Sequence, residues 1–162
     1  MSLHRTRIDL PSQIRDAAVR VLNARLADTI VLASHAKQAH WNVKGPNFIA
    51  LHELFDQLHT DLLPFVDDIA ERITALGGTA VGTAGAAARA SELPDYPLDI
   101  ADGAAHVEAL ATAYAAFAER VRKAIEETGE IGDADTADLF TGLSRLADKN
   151  LWLLEAHLQA RS

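Results

Sequence analysis

Five side chains in two neighbouring stretches carry the chemistry of a metal site. AHWNVKGPNFIALHELFD, residues 39–56, supplies His40, His52 and Asp56, and VDDIAER, residues 66–72, supplies Asp67 and Glu71. Imidazole combined with carboxylate suits a transition metal. The chain has no cysteine, which excludes thiolate ligation and any disulfide framework. On an α-helix His52 and Asp56 share a face, being four residues apart, and Asp67 and Glu71 form a second such pair. The step from Asp56 to Asp67 is roughly three turns plus 20°, so both pairs lie on one side of one helix. They stand about 16 Å apart along its axis, too far to close on one ion within a chain.

A two-fold dimer removes that distance. If two copies of the helix lie antiparallel about an axis near Asp61–Leu62, each His52/Asp56 pair faces the partner's Asp67/Glu71 pair. His40, at the end of the preceding helix, then completes the first half of the site. The same spacings have plainer readings. A His–Asp pair at i,i+4 also serves as a helix-surface hydrogen bond, and an Asp–Glu pair as a solvated face. The Glu-x-x-His motifs of bundles that bind two irons within one chain are missing, and Asp56-x-x-His59 is the nearest approach.

The elements that must position these groups read as helices. The first is expected from just after Pro11–Ser12 to about Gln38. The second opens at Gly45–Pro46, with the proline in its first turn, and ends at Gly77–Gly78. A third carries Val107, Leu110, Tyr114, Phe117, Val121 and Ile125 at steps of three and four and stops at Gly129. A fourth begins near Asp135 with two apolar stripes, which calls for cover on more than one side. The alanine-rich connection at residues 79–97 holds a short helix around Ala86–Leu93 and shows no chemistry of its own. The pattern is all-α: a four-helix bundle whose long crossover, between the second and third helices, contains a short helix. Residues 1–10 form a short N-terminal arm and 11–162 a single domain. Pro64 falls inside the second helix, where it removes a hydrogen bond and is expected to kink it.

At 162 residues with 49% apolar and 23% charged residues the chain is globular. Its formal charge of −8 repels phosphate backbones. The single methionine is Met1, leaving no internal sulfur to oxidise. The start, MSLHRTRIDL, has no signal-like apolar core and no apolar run reaches membrane-spanning length, so the cytoplasm is the expected compartment, with nucleoid association possible.

HWNVKGPNFIALHELFD followed by VDDIAERITALGG strongly resembles the Dps family of miniferritins, the DNA-protection-during-starvation proteins of the ferritin-like superfamily. GDADTADLFTGLSRLADKNLWLLEAHL resembles that family's last helix, and the similarity runs from about residue 11 to the end. The resemblance implies a ferritin-like four-helix bundle, a dodecamer built from two-fold dimers, and a hollow shell holding ferric mineral. It implies a ferroxidase centre between subunits, with His40, His52 and Asp56 from one chain and Asp67 and Glu71 from its partner. Iron is the implied metal and Fe(II) the implied substrate, oxidised by hydrogen peroxide, with protection against oxidative damage as the outcome. Imidazole and carboxylate together accept both iron oxidation states, and anionic ligands favour the ferric one. Trp41 matches an aromatic beside the family's centre, in a radical-intercepting or packing role.

Asp138 matches a position lining the family's iron-entry pore, with Glu130 and Asp133 close in sequence. Asp135 and Asp138 also fit ordinary helix N-terminal capping. Asp61 and Asp68 are expected to be surface charges. His59 points toward the expected interface, as a hydrogen-bonding group or an auxiliary metal contact. The alternative to iron storage is a nucleoid DNA-binding protein with secondary iron chemistry. Family members that bind DNA directly carry lysine-rich tails, whereas here the arm offers Arg5, Arg7 and His4, offset by Asp9, and the C-terminus ends at Arg161–Ser162. Direct DNA binding is therefore expected to be weak or absent.

Overall fold

A computed structural model describes residues 3–159, and within them five helices run in chain order: α1 Ser12–Asn42, α2 Phe48–Ala75, α3 Ala84–Ala90, α4 Gly103–Glu130 and α5 Ala134–Gln159. α1 packs along α2 and α4 along α5; α1 also meets α4, and the short α3 sits on α1. Among the described residues β structure is limited to one bridge, Lys44–Asp102, which joins the α1–α2 turn to the start of α4. The fold is the all-α bundle with a helix-containing crossover that the periodicity indicated. Tyr114, Phe55, Phe117 and Phe140 are its largest wholly buried side chains, packed among leucines and isoleucines from all four long helices.

Local chemistry sets the helix ends. Asp102 caps α4, its carboxylate accepting from the Ala104 and Ala105 amides at 2.9 and 3.3 Å. α2 and α4 stop in the same way. Gly77 and Gly132 take φ of +89° and +90°, and the amides of Gly78 and Asp133 return to the Ile73 and Thr128 carbonyls, each at 2.9 Å. This double return satisfies carbonyls that a helix end otherwise leaves open. A side chain at Gly77 is doubly excluded, because a Cβ there would stand 2.4 Å from the His4 carbonyl oxygen.

Four helices differ in their boundaries from the sequence reading. α3 is Ala84–Ala90, earlier than the expected Ala86–Leu93, and gives way at Ser91, whose hydroxyl is held by Asp28. α1 continues one turn past Gln38, because contacts with α2 hold a segment (His40–Asn42) whose residue types have little helix preference of their own. Pro46 lies ahead of α2 in a turn closed by the Phe48 amide on the Gly45 carbonyl at 3.1 Å, so it serves as a turn residue. α4 runs past Gly129 to Glu130, and the glycine that ends it is Gly132. α2 is continuous through Pro64, which sits exposed.

Asp133 is not a pore-lining charge. It is 1% exposed, caps α5 through the Thr136 amide at 3.1 Å and hydroxyl at 2.6 Å, and takes Arg72 Nη2 of α2 at 2.7 Å. The cap of α5 is thus Asp133 rather than Asp135. A second knot fixes the crossover: Asp28, wholly buried on α1, accepts from the Ser91 hydroxyl at 2.8 Å and the Glu92 amide at 3.1 Å and pairs with Arg25 at 2.9 Å. His35 and His106 lie beneath the same crossover, and burial holds both imidazoles below their ordinary pKa.

Two expectations follow from these buried groups. Asp133→Ala leaves Arg72 unpaired and α5 uncapped, and should cost about 3–5 kcal/mol in urea unfolding. For His35 and His106 the folded pKa is the lower one. Their contribution to stability is therefore full above about pH 6.5 and lost as the pH falls through the depressed folded values. The urea midpoint should drop on acidification in that window, and the drop should shrink in His106→Gln.

Candidate metal centre

The last turn of α1 and the first turns of α2 meet at His40 and His52, whose rings stack at 3.7 Å between centroids with 21° between planes. Each ring is oriented by the other residue's backbone. His40 Nδ1 lies 2.7 Å from the His52 carbonyl oxygen and His52 Nδ1 lies 2.8 Å from the His40 carbonyl oxygen. A carbonyl only accepts, so both Nδ1 atoms carry a proton, and in the neutral form of each ring Nε2 presents its lone pair. That is the orientation and tautomer that a metal-ligating imidazole needs.

One turn further along α2, Asp56 pairs with the Lys37 ammonium of α1. Its hydrogen bond to Lys37 holds the Asp56 carboxyl below the usual carboxylate range, with slight desolvation working the other way. The group is thus ionised but already has a cation. Asp67 and Glu71 lie further along α2, exposed. Among the described residues no three histidine or acidic groups of one chain converge on a point that could hold a metal.

The remaining sequence candidates fall on both sides of this site. Trp41 follows His40 with 66% of its surface exposed. His59 donates from Nδ1 to the Ala33 carbonyl at 2.8 Å, which leaves its Nε2 free. Both line an apolar groove of about 370 Å³ between α1 and α2, together with Lys37, Leu63 and Val66. Asp138 is exposed on α5, and Asp68 is exposed on α2. Asp61 is half-buried and accepts from Gln57.

Sequence reasoning missed Lys37. A lysine three residues before His40 falls on the same helix face, and that spacing was the available signal. It also missed the partners of His35 and His106, because Tyr96, which touches both, comes from the crossover and no periodicity links the three.

The chain matches the ferritin-like domain model over residues 19–161. The DNA protection during starvation protein of Agrobacterium fabrum is 48% identical over 162 residues, covering the whole of both chains. The chain belongs to the Dps family. Among solved structures, DpsA14 from Streptomyces coelicolor superposes with a TM-score of 0.91 at 38% identity, covering 98% of this chain and 94% of that one. The Dps protein of Vibrio cholerae, described as a member of a broad superfamily of ferritin-like diiron-carboxylate proteins, gives 0.88 at 27% identity over 98% and 99%. Like other Dps chains this one is a ferritin-like miniferritin, and the imidazole and carboxylate groups displayed by α1 and α2 suit the iron chemistry of that superfamily. No helix among the described residues is long and apolar enough to cross a membrane.

In this Dps chain the Asp56 carboxylate is already paired with Lys37, so a metal bound at the two Nε2 atoms would have to compete with that ammonium for it. Lys37→Met should tighten Co(II) binding by roughly two- to fivefold, the scale of one half-exposed ion pair, as followed by visible absorbance.

Proposed function

We propose that the protein is a ferroxidase that oxidises Fe(II) with hydrogen peroxide at centres shared between two-fold-related copies, and stores the ferric product inside a dodecameric shell. The observation that carries this reading is the position of the apolar groove. On α2 the groove is lined by His59, Leu63 and Val66, which lie between the His52/Asp56 pair and the Asp67/Glu71 pair and on the same side of the helix. Leu63 is 46% exposed there, and Trp41 at the groove's edge is 66% exposed. An apolar strip with a half-site at each end is what an isologous interface requires. A second copy laid antiparallel across it covers the groove and brings Asp67 and Glu71 to the first copy's His40, His52 and Asp56.

The residues then divide the work. The two Nε2 atoms and three carboxylates hold Fe(II), and their negative charge favours the ferric state. Two Fe(II) ions give one electron each to one peroxide, the O–O bond breaks, and both oxygens leave as hydroxide or water without free radical. Trp41 packs at the rim of the interface or intercepts stray radicals there. Exposed Asp138 on α5 serves cation entry through a pore where copies meet, by focusing a negative field. The compartment proposed for it is the cytoplasm, in keeping with its membership of the Dps family.

The competing reading, direct DNA protection through a cationic tail, finds less support. The arm is tied down rather than free: the His4 amide donates to the Gly77 carbonyl at 2.7 Å, and Leu3, Ile8 and Leu10 pack on the core. Arg5 and Arg7 are its exposed cations, and Arg161 lies outside the described residues. DNA binding is therefore weak at physiological salt.

Mixed assemblies test the shared centre. A His52→Ala/Asp56→Ala chain and an Asp67→Ala/Glu71→Ala chain should each fail to oxidise Fe(II) with peroxide. Co-assembled in equal amounts they should regain about a quarter of the wild-type rate, because half the dimers are mixed and each mixed dimer rebuilds one of its two sites. Wild-type rates in either variant alone, or a native mass equal to a monomer, would overturn the proposal.

A further inference from the structure

A cluster of imidazole and aromatic rings lies beneath the crossover. His106 of α4 is 1% exposed, and its Nδ1 lies 2.6 Å from the hydroxyl of Tyr96 in the crossover. The two rings are nearly parallel, 17° between planes and 6.1 Å between centroids. His35 packs on Tyr96 at 5.2 Å, and Phe55 of α2 packs on His106 at 6.3 Å. Burial raises the Tyr96 phenol above its ordinary pKa, so it remains O–H. Burial holds the His106 imidazole below its ordinary pKa, with the Asn42 and Ile100 carbonyls working the other way. Carbonyls only accept, so the neutral ring's single proton faces them and Nδ1 is left to take the Tyr96 O–H.

The chain's other tyrosine provides the contrast. Tyr114 is wholly buried, donates to the Leu58 carbonyl at 3.3 Å and accepts from Asn150 at 3.4 Å. Neither partner can take up a proton at ordinary pH. A phenol yields an electron easily only when its proton departs with it, because the phenol radical cation is a strong acid. Tyr96 has a base within proton-transfer reach and Tyr114 has none.

We propose that Tyr96 and His106 form a proton-coupled one-electron donor that quenches hydroxyl radical escaping from the iron chemistry. The oxidant rests on the ferroxidase reading. When peroxide takes a single electron from one Fe(II), the O–O bond splits to hydroxide and hydroxyl radical. Tyr96 supplies the missing electron, reducing that radical to hydroxide, and its phenolic proton passes to His106 Nδ1. A further Fe(II) returns the electron to the phenoxyl as it becomes Fe(III), and His106 returns the proton. The couple is connected to the ligand-bearing turns at two points. Phe55, which packs on His106, precedes Asp56, and Asn42, whose carbonyl lies against the same imidazole, is two residues beyond His40.

Two oxidants separate this proposal from the ferroxidase reading. In the first arm, protein grown with ring-deuterated tyrosine is mixed with Fe(II) and peroxide, freeze-quenched and examined by electron paramagnetic resonance, while Fe(II) oxidation is followed by absorbance. In the second arm, photogenerated ruthenium(III) tris-bipyridine replaces iron and peroxide. The expected result in both arms is a radical whose hyperfine structure collapses on tyrosine deuteration. It should persist in Tyr114→Phe and Trp41→Phe, vanish in Tyr96→Phe, and fall sharply in His106→Gln. Tyr96→Phe keeps the ring and its packing, so its loss of signal reports the hydroxyl. A signal that survives Tyr96→Phe, or its absence from the wild type in the ruthenium arm, overturns the proposal. So does normal Fe(II) oxidation without the tyrosine signal. Failure of Fe(II) to oxidise at all counts against the ferroxidase reading, and the ruthenium arm then decides the donor couple by itself.

Discussion

The exchange of two hydrogen bonds between His40 and His52 is the contact on which the candidate site depends. Each imidazole donates to the other's backbone carbonyl, so the end of α1 and the start of α2 fix one another's side chains. Rotating either ring would forfeit its bond to the other residue's carbonyl and turn a protonated nitrogen toward the candidate metal position. The same contact continues α1 through His-Trp-Asn, residues that favour helix weakly, and sets the direction in which the chain leaves for α2. Gly45 and Pro46 complete the turn, and the Lys44–Asp102 bridge ties it to the start of α4.

In the proposed shared centre one chain carries only part of the ligand set, and the electrostatics of the separate chain accord with that. Asp56 without a metal is balanced by Lys37, and Asp67 and Glu71 keep contact with water. No carboxylate of the candidate set is buried without a counter-charge, so a separate chain stays free of the large cost of an unpaired buried ion. Elsewhere the chain does bury acids, at Asp28 and Asp133, and there each has an arginine and hydrogen-bond donors around it. The contrast separates acids that hold helices together from those left available to a cation.

Much of this was legible in the sequence because it obeys one helix's period. The His52/Asp56 and Asp67/Glu71 pairs, the core stripe of α4 and the Gly77 stop are all local regularities, and the family resemblance rested on the same segments. What escaped depends on contacts between elements. Asp133 reads as one more acid beside a pore position, and only the approach of Arg72 from α2 makes it a buried cap. Tyr96 reads as an incidental residue in a featureless connection until the crossover lays it on His106. Pro64 shows the opposite limit: its local rule forecasts a lost hydrogen bond and a kink, and α2 nevertheless continues through it to Ala75 with the ring on its exposed side.

The Arg72 knot has a further consequence for α2. The final turn of a helix ordinarily frays, and Glu71 stands just one turn from the end of this one. Arg72, the next residue, is clamped by Asp133 and Thr136 of the α5 corner at 2.7 and 3.0 Å. The backbone beneath Glu71 is therefore ordered before any neighbour arrives. A surface that is already rigid gives up little conformational entropy on association, so more of the contact energy remains as affinity.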